Sequence, residues 1–145
     1  GGTTTGQGAS LTIPLGDMSL VVSTSQMDVG GTEDSSAGGA LTMTAGNGTL
    51  SLGVETTSGD TAANEGEAYS VSYSTTLGGA SVSVGYSGYD ANNNTSSRTD
   101  VTMSQSIGGG ASIFAEFQNL TGAGVAAEGN STSESVVAVG TSVSF

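Results

Sequence analysis

The sequence contains no cysteine, histidine, lysine or tryptophan, a single arginine (Arg98) and a single proline (Pro14). Each absence excludes a class of protein. Without Cys there is neither a disulfide framework nor a thiolate metal site, and cysteine usage carries no information on compartment. Without His or Lys, the abundant Ser hydroxyls have no conventional general base, and His- or Cys-ligated metal centres are ruled out. One base against 13 acidic residues leaves a formal charge of −12. The basic footprint demanded by nucleic acid is therefore missing, and the same imbalance disfavours an anionic membrane surface. There is no initiator Met, no signal-peptide pattern and no apolar run long enough for a membrane helix, so any contact with a bilayer interior must be made by a β-barrel.

What is present is Gly, 25 residues in 145, with much Ser and Thr. Leu and Glu are thinly spread, and Ser, Thr, Val and Tyr suit a pleated sheet better than a helix. Hydrophobic content is 34%, low for a soluble core but sufficient for a sheet that is apolar on one face only. Gly, Ser and acidic charge would also suit a disordered chain, but a regular period-two alternation argues against it. Leu11, Ile13 and Leu15 alternate with Ser10, Thr12 and Pro14. The same pattern recurs at Met18, Leu20 and Val22, at Leu41, Met43 and Ala45, and at Leu50, Leu52 and Val54. It continues through Tyr69, Val71 and Tyr73, Val82, Val84 and Tyr86, Val101 and Met103, Ile113, Ala115 and Phe117, and Val137, Val139, Val143 and Phe145. These segments predict about nine strands of ordinary length.

Gly16-Asp17, Asn47-Gly48 and Gly78-Gly79 read as two-residue hairpin turns, and Gly108-Gly109-Gly110 as a three-residue version. Polar segments at 28–38, 57–67, 90–97 and 121–133 read as long surface loops. The turns set the register. They place Leu15 opposite Met18, Ala45 opposite Leu50, Met43 opposite Leu52, Tyr73 opposite Val84, Val71 opposite Tyr86, Met103 opposite Ala115 and Val101 opposite Phe117. All four hairpins thereby gather their apolar residues on one face, which a one-residue slip would undo. The expected fold is an all-β, antiparallel up-and-down meander. Its other face carries Ser, Thr, Gly and charge, with Glu55, Arg98, Asp100, Glu116 and Glu134 as candidate pore-lining residues. One apolar and one wet face is the pattern of a transmembrane β-barrel.

The last ten residues add a specific resemblance. Val139, Gly140, Val143 and the terminal Phe145 resemble the C-terminal signal read by the outer-membrane barrel assembly machinery, with Ala138 where that signal expects a polar residue. With "ASIFAEFQNL" at 111–120, residues 9–145 look like the C-terminal half of a general diffusion porin of the acidic alphaproteobacterial type. The resemblance implies a passive pore for small hydrophilic solutes in the bacterial outer membrane, and the acidic polar-face residues imply that it prefers cations. It also implies lipid and the assembly machinery as partners, a homotrimer, and no cofactor. Residues 1–145 are then one β-meander belonging to a larger barrel, with Gly1–Gly8 lying in a loop after preceding strands. Three features depart from the family. Aromatic girdles are weak, with no Trp and only Tyr69, Tyr86, Phe117 and Phe145 expected at strand ends on the apolar face. An odd strand count does not close a single-chain bacterial barrel, and one arginine cannot form the basic cluster that related porins set against an acidic constriction loop.

Catalytic readings find little support. Glu55, Asp100 and Glu116 are the residues from which a general acid/base pair could be drawn, but as lone carboxylates on a wet face they are better read as setting ionic selectivity. Glu33-Asp34 and Asp60–Glu67 do not match a spaced calcium loop and read as solvated loop charge. Asn-x-Ser/Thr at Asn47, Asn93, Asn94, Asn119 and Asn130 is expected in so Ser/Thr-rich a chain. The competing reading is a secreted structural β-protein, a fibre or matrix subunit whose apolar face packs on another sheet.

Overall fold

The computed structural model describes residues 4–60, 65–91, 94–122 and 133–143, the side chain of Asn94 excepted. They form nine strands: β1 (Thr4–Leu15), β2 (Met18–Val29), β3 (Thr32–Ala45), β4 (Gly48–Gly59), β5 (Gly66–Leu77), β6 (Ala80–Ala91), β7 (Asn94–Gly108), β8 (Ala111–Gly122) and β9 (Ser133–Val143). Neighbours in the sheet follow chain order from β1 to β9, and every pair is antiparallel. This is the expected meander.

The register shows why the apolar pattern matters. A single row of directly opposed residues crosses the whole sheet: Leu15, Met18, Met43, Leu50, Tyr73, Val84, Val101, Phe117 and Val137. Every strand contributes one apolar side chain to it. Toward the open ends of the hairpins the next row runs from Ile13 through Leu20, Leu41, Leu52 and Val71 to Tyr86, and turns polar at Thr99. In the opposite direction Val82, Met103, Ala115 and Val139 form an apolar row on β6–β9 alone. The apolar band thus drifts along the strands as it crosses them, the geometry of strands passing obliquely through a flat layer.

That band covers nothing. Among the described residues the only buried hydrophobic side chain is Ala80, at 7% exposure, whereas Val54 is 65% and Val139 79% exposed. A soluble sheet of this size would bury such a face under a second layer.

The turns correct the sequence reading in two places. Gly16-Asp17 and Gly78-Gly79 turn as expected, pairing Leu15 with Met18 and Leu77 with Ala80. At the third hairpin the turn is Gly46-Asn47, not Asn47-Gly48, so Ala45 faces Gly48 and Met43 faces Leu50. Gly46, at φ 61°, supplies the left-handed first turn position and Asn tolerates the second. The pairing slides by two residues, so the faces are unchanged. Gly48 then belongs to β4, where the Tyr73 ring lies over it and the Tyr73 hydroxyl donates to the Ala45 carbonyl at 3.1 Å. At the three-glycine turn, Gly108 pairs with Ala111, and a bulge between Ser106 and Gly108 takes up Ile107.

The segment at 28–38 is not a long loop. β2 and β3 continue to a tight turn at Gly30-Gly31, with φ of 65° and 90°. Its flanks pair Asp28 with Glu33 and Met27 with Asp34, so they lack the alternation that would have marked them as strands. The strands likewise extend into the other expected loops. β4 reaches Gly59, β5 starts at Gly66, β6 and β7 pair up to Ala91 and Asn94, and β8 and β9 bound a connection that lies outside the described residues.

A Cβ on Gly48 would collide with the Ser74 carbonyl oxygen and come within 2.6 Å of the Tyr73 ring. Gly48→Ala is therefore expected to destabilise the sheet by about 1–3 kcal/mol, the usual cost of over-packing. Urea unfolding in detergent micelles, followed by circular dichroism, measures it. An unchanged midpoint would mean that this strand pair is not held as described.

Candidate functional site: the concave polar wall

The sheet curls with its polar face inward. Polar-face residues from seven strands, running from Val21 and Ser23 on β2 to Leu120 on β8, line one open groove of about 670 Å³, which a flat sheet could not create. Small side chains make the curl possible, since Gly38, Ala40, Gly53, Ser70 and Ser87 occupy its middle.

The candidate pore-lining residues all take this face, but not as one cluster. Glu55 lies in the row of Gly38, Ala68, Tyr89 and Ser96. Arg98 lies one row further along and three strands away, level with Gly53, Ser70 and Ser87. Both line the groove. Arg98 Nε pairs with Asp100 Oδ1 at 3.6 Å, the two side chains being 47% and 28% exposed. Such a solvated pair is worth at most about 1 kcal/mol, so it orients the guanidinium more than it holds the sheet. The Asp100 carboxylate rests over Gly85 of β6, where a Cβ would lie 2.9 Å from Oδ2. The Glu116 carboxylate accepts a hydrogen bond from the Gln118 amide. Glu134 stands across Leu120 in the row of Arg98.

The sequence reading missed Gln118, Tyr89, Phe114 and Leu120. Strand parity could have found the β8 members, because even-numbered residues of 111–120 share the face of Glu116. Of the candidate assembly-signal residues, Val139 and Val143 point to the exposed apolar face. Gly140 is on the polar face, where the Phe114 ring lies over it and a Cβ would come 2.6 Å from Cζ. Phe145 lies outside the described residues, as do Asn93 and Asn130. Among the described residues no three acidic side chains gather to hold a metal ion.

An up-and-down antiparallel sheet with one hydrogen-bonding and one apolar face is the fold found in the walls of β-barrels. Solved porins share it. The chain superposes on the anion-selective porin of Comamonas acidovorans with a TM-score of 0.71 at 16% identity, covering 81% of this chain and 38% of that one. A porin refined at 1.8 Å matches with a TM-score of 0.71 at 15% identity, over 92% of this chain and 50% of the other. The KdgM porin in complex with disordered oligogalacturonate matches with a TM-score of 0.58 at 12% identity, over 98% and 75%. The chain thus spans half or less of the first two. No protein-family model and no curated protein matches the sequence.

Proposed function

We propose that this chain forms part of the wall of a passive diffusion pore in the bacterial outer membrane, one that admits small hydrophilic solutes and prefers cations. The observation that carries the reading is the contrast between faces: a band of apolar side chains exposed on the convex side, and Ser, Thr, Gly and carboxylates on the concave side. Lipid satisfies the first and water the second. Among the described residues β1 and β9 each hydrogen-bond to one neighbour and, with seven antiparallel strands between them, run in the same direction. A closed antiparallel barrel then needs an odd number of further strands, so the meander is one portion of a larger barrel. By resemblance its partners are lipid, the barrel assembly machinery and further copies in a homotrimer. Val139, Gly140, Val143 and Phe145 serve as the assembly signal, and deleting Phe145 lowers the yield of assembled protein while leaving the sheet intact.

Cation preference rests on charge. Glu55, Asp100, Glu116 and Glu134 face the lumen against Arg98 alone, and Arg98 is already paired with Asp100. The Comamonas porin is named anion-selective, so the fold does not decide the sign and the wall charges do. At physiological ionic strength the Debye length is about 8 Å, and low-dielectric walls focus the field. The test is a reversal potential across a salt gradient, with the protein reconstituted in planar bilayers. The expected result is cation preference that fades as salt is raised. Anion preference overturns the selectivity, and absence of stepwise conductance overturns the pore. A secreted matrix subunit, which the two open edges would also serve, needs no detergent for extraction, whereas a barrel does.

A further inference from the structure

The concave wall is not uniform. Four consecutive polar-face rows cross β7, β8 and β9 as Arg98–Leu120–Glu134, Asp100–Gln118–Val136, Thr102–Glu116–Ala138 and Ser104–Phe114–Gly140. Over the same rows β3 to β6 present only Ser, Thr, Gly and Ala: Ala40, Gly53, Ser70 and Ser87, then Thr42, Ser51, Ser72 and Gly85, then Thr44, Thr49, Ser74 and Ser83, and finally Thr76 and Ser81 on β5–β6. Over these four rows, carboxylates and large apolar groups are thus interleaved on the β7–β9 panel, beside a β3–β6 stretch that carries only small side chains. Phe114 is 37% exposed on the wet face, and its outer ring edge rests over Gly140, whose lack of a side chain leaves room for it. Two residues along β8, Glu116 shares its face and is oriented by Gln118. Arg98, the one base, is occupied by Asp100, so the panel keeps an excess of negative charge. Its Arg98–Leu120 end opens into the groove.

We infer that this β7–β9 panel is a recognition track for amphipathic organic cations, small ammonium compounds bearing an aromatic or alkyl group, which it holds through Glu116 and the Phe114 ring. The inference rests on the concave face being the wet one, as proposed above. Charge complementarity selects a cation, and Leu120, Val136 and Phe114 add apolar surface that an inorganic ion cannot use. A cation over an aromatic ring gains about 0.5–1 kcal/mol at an exposed site, or a factor of about two to five in affinity. Neutral apolar solutes lack the Coulomb attraction, and simple cations lack the apolar contact.

The test compares benzyltrimethylammonium, tetramethylammonium and benzyl alcohol as probes of the full chain in detergent micelles, by saturation-transfer NMR titration. Circular dichroism confirms that each variant is folded. Benzyltrimethylammonium is expected to bind most tightly, with its ring protons showing the strongest transfer. Phe114→Leu, which keeps apolar bulk over Gly140 but removes the ring, should weaken both cations about two- to five-fold. Glu116→Gln should weaken both cations, and more than Glu55→Gln does, since Glu55 on β4 is four strands from Glu116 on β8. Equal binding of the two cations, equal binding of benzyl alcohol, or indifference to Phe114→Leu overturns the inference. The titration needs no conductance, so it separates the two proposals. Binding without a pore leaves the track standing, and a cation-preferring pore without binding removes the track alone.

Discussion

Val84→Arg should destabilise the assembled protein by about 2–4 kcal/mol, while Ser83→Arg, one residue away, should cost much less. Val84 sits in the row that crosses all nine strands, between Tyr73 and Val101, with lipid as its proposed neighbour. A guanidinium there must leave water for hydrocarbon. Ser83 lies between Ser74 and Thr102 on the concave side, where an added charge stays hydrated. Denaturant unfolding in lipid vesicles measures the difference. Cysteine at each position, probed with a membrane-impermeant thiol reagent, reports the faces directly: position 83 should label and position 84 should not. Equal costs or equal labelling would mean that the two faces are wrongly assigned.

The second large effect concerns parity. Deleting Ser83 alone should abolish assembly, whereas deleting Ser83 and Val84 together should leave a foldable chain. β6 is paired along its length with both β5 and β7, and the turn at Gly78-Gly79 anchors its start. Loss of one residue rotates everything beyond it to the opposite face, carrying Val84 and Tyr86 inward and Ser87 and Tyr89 outward. Misplacing two large apolar side chains forfeits about 1.5–3 kcal/mol each, which is comparable to the whole stability of many domains, about 5–15 kcal/mol. Loss of two residues shifts the register by one full pleat and keeps every side chain on its own face. Protease protection and SDS-resistant mobility distinguish the products. Equal assembly of both deletions would show that the faces are not under constraint.

Much of this was legible in the residues themselves, for a local reason. Successive Cβ atoms of a strand point to opposite sides whatever the strand pairs with, so the parity of Leu11, Ile13 and Leu15, or of Glu116 against Phe117, assigns their faces without any knowledge of neighbours. The turn residues predicted three of the four hairpin registers, and even where the turn proved to be Gly46-Asn47, parity kept Met43 and Leu50 on one face. The limits of the strands were not legible. Around Gly30-Gly31 both faces are polar, so hydrogen bonding between β2 and β3 continues where alternation has stopped.

The sequence alone thus determined the strand type, the composition of each face and the sign of the wall charge, because these depend on residue identity and a two-residue period. Only the tertiary structure decided which residues of distant segments share a row. Row membership follows from turn conformations such as the positive φ of Gly46 and from the bulge at Ile107, and one such choice shifts every later strand. It likewise decided the curl that turns the polar face into a groove, and the meeting of Arg98 with Asp100 and of Phe114 with Gly140 on a single panel. Those contacts are made across hydrogen-bonded neighbours, a relation that no local pattern encodes.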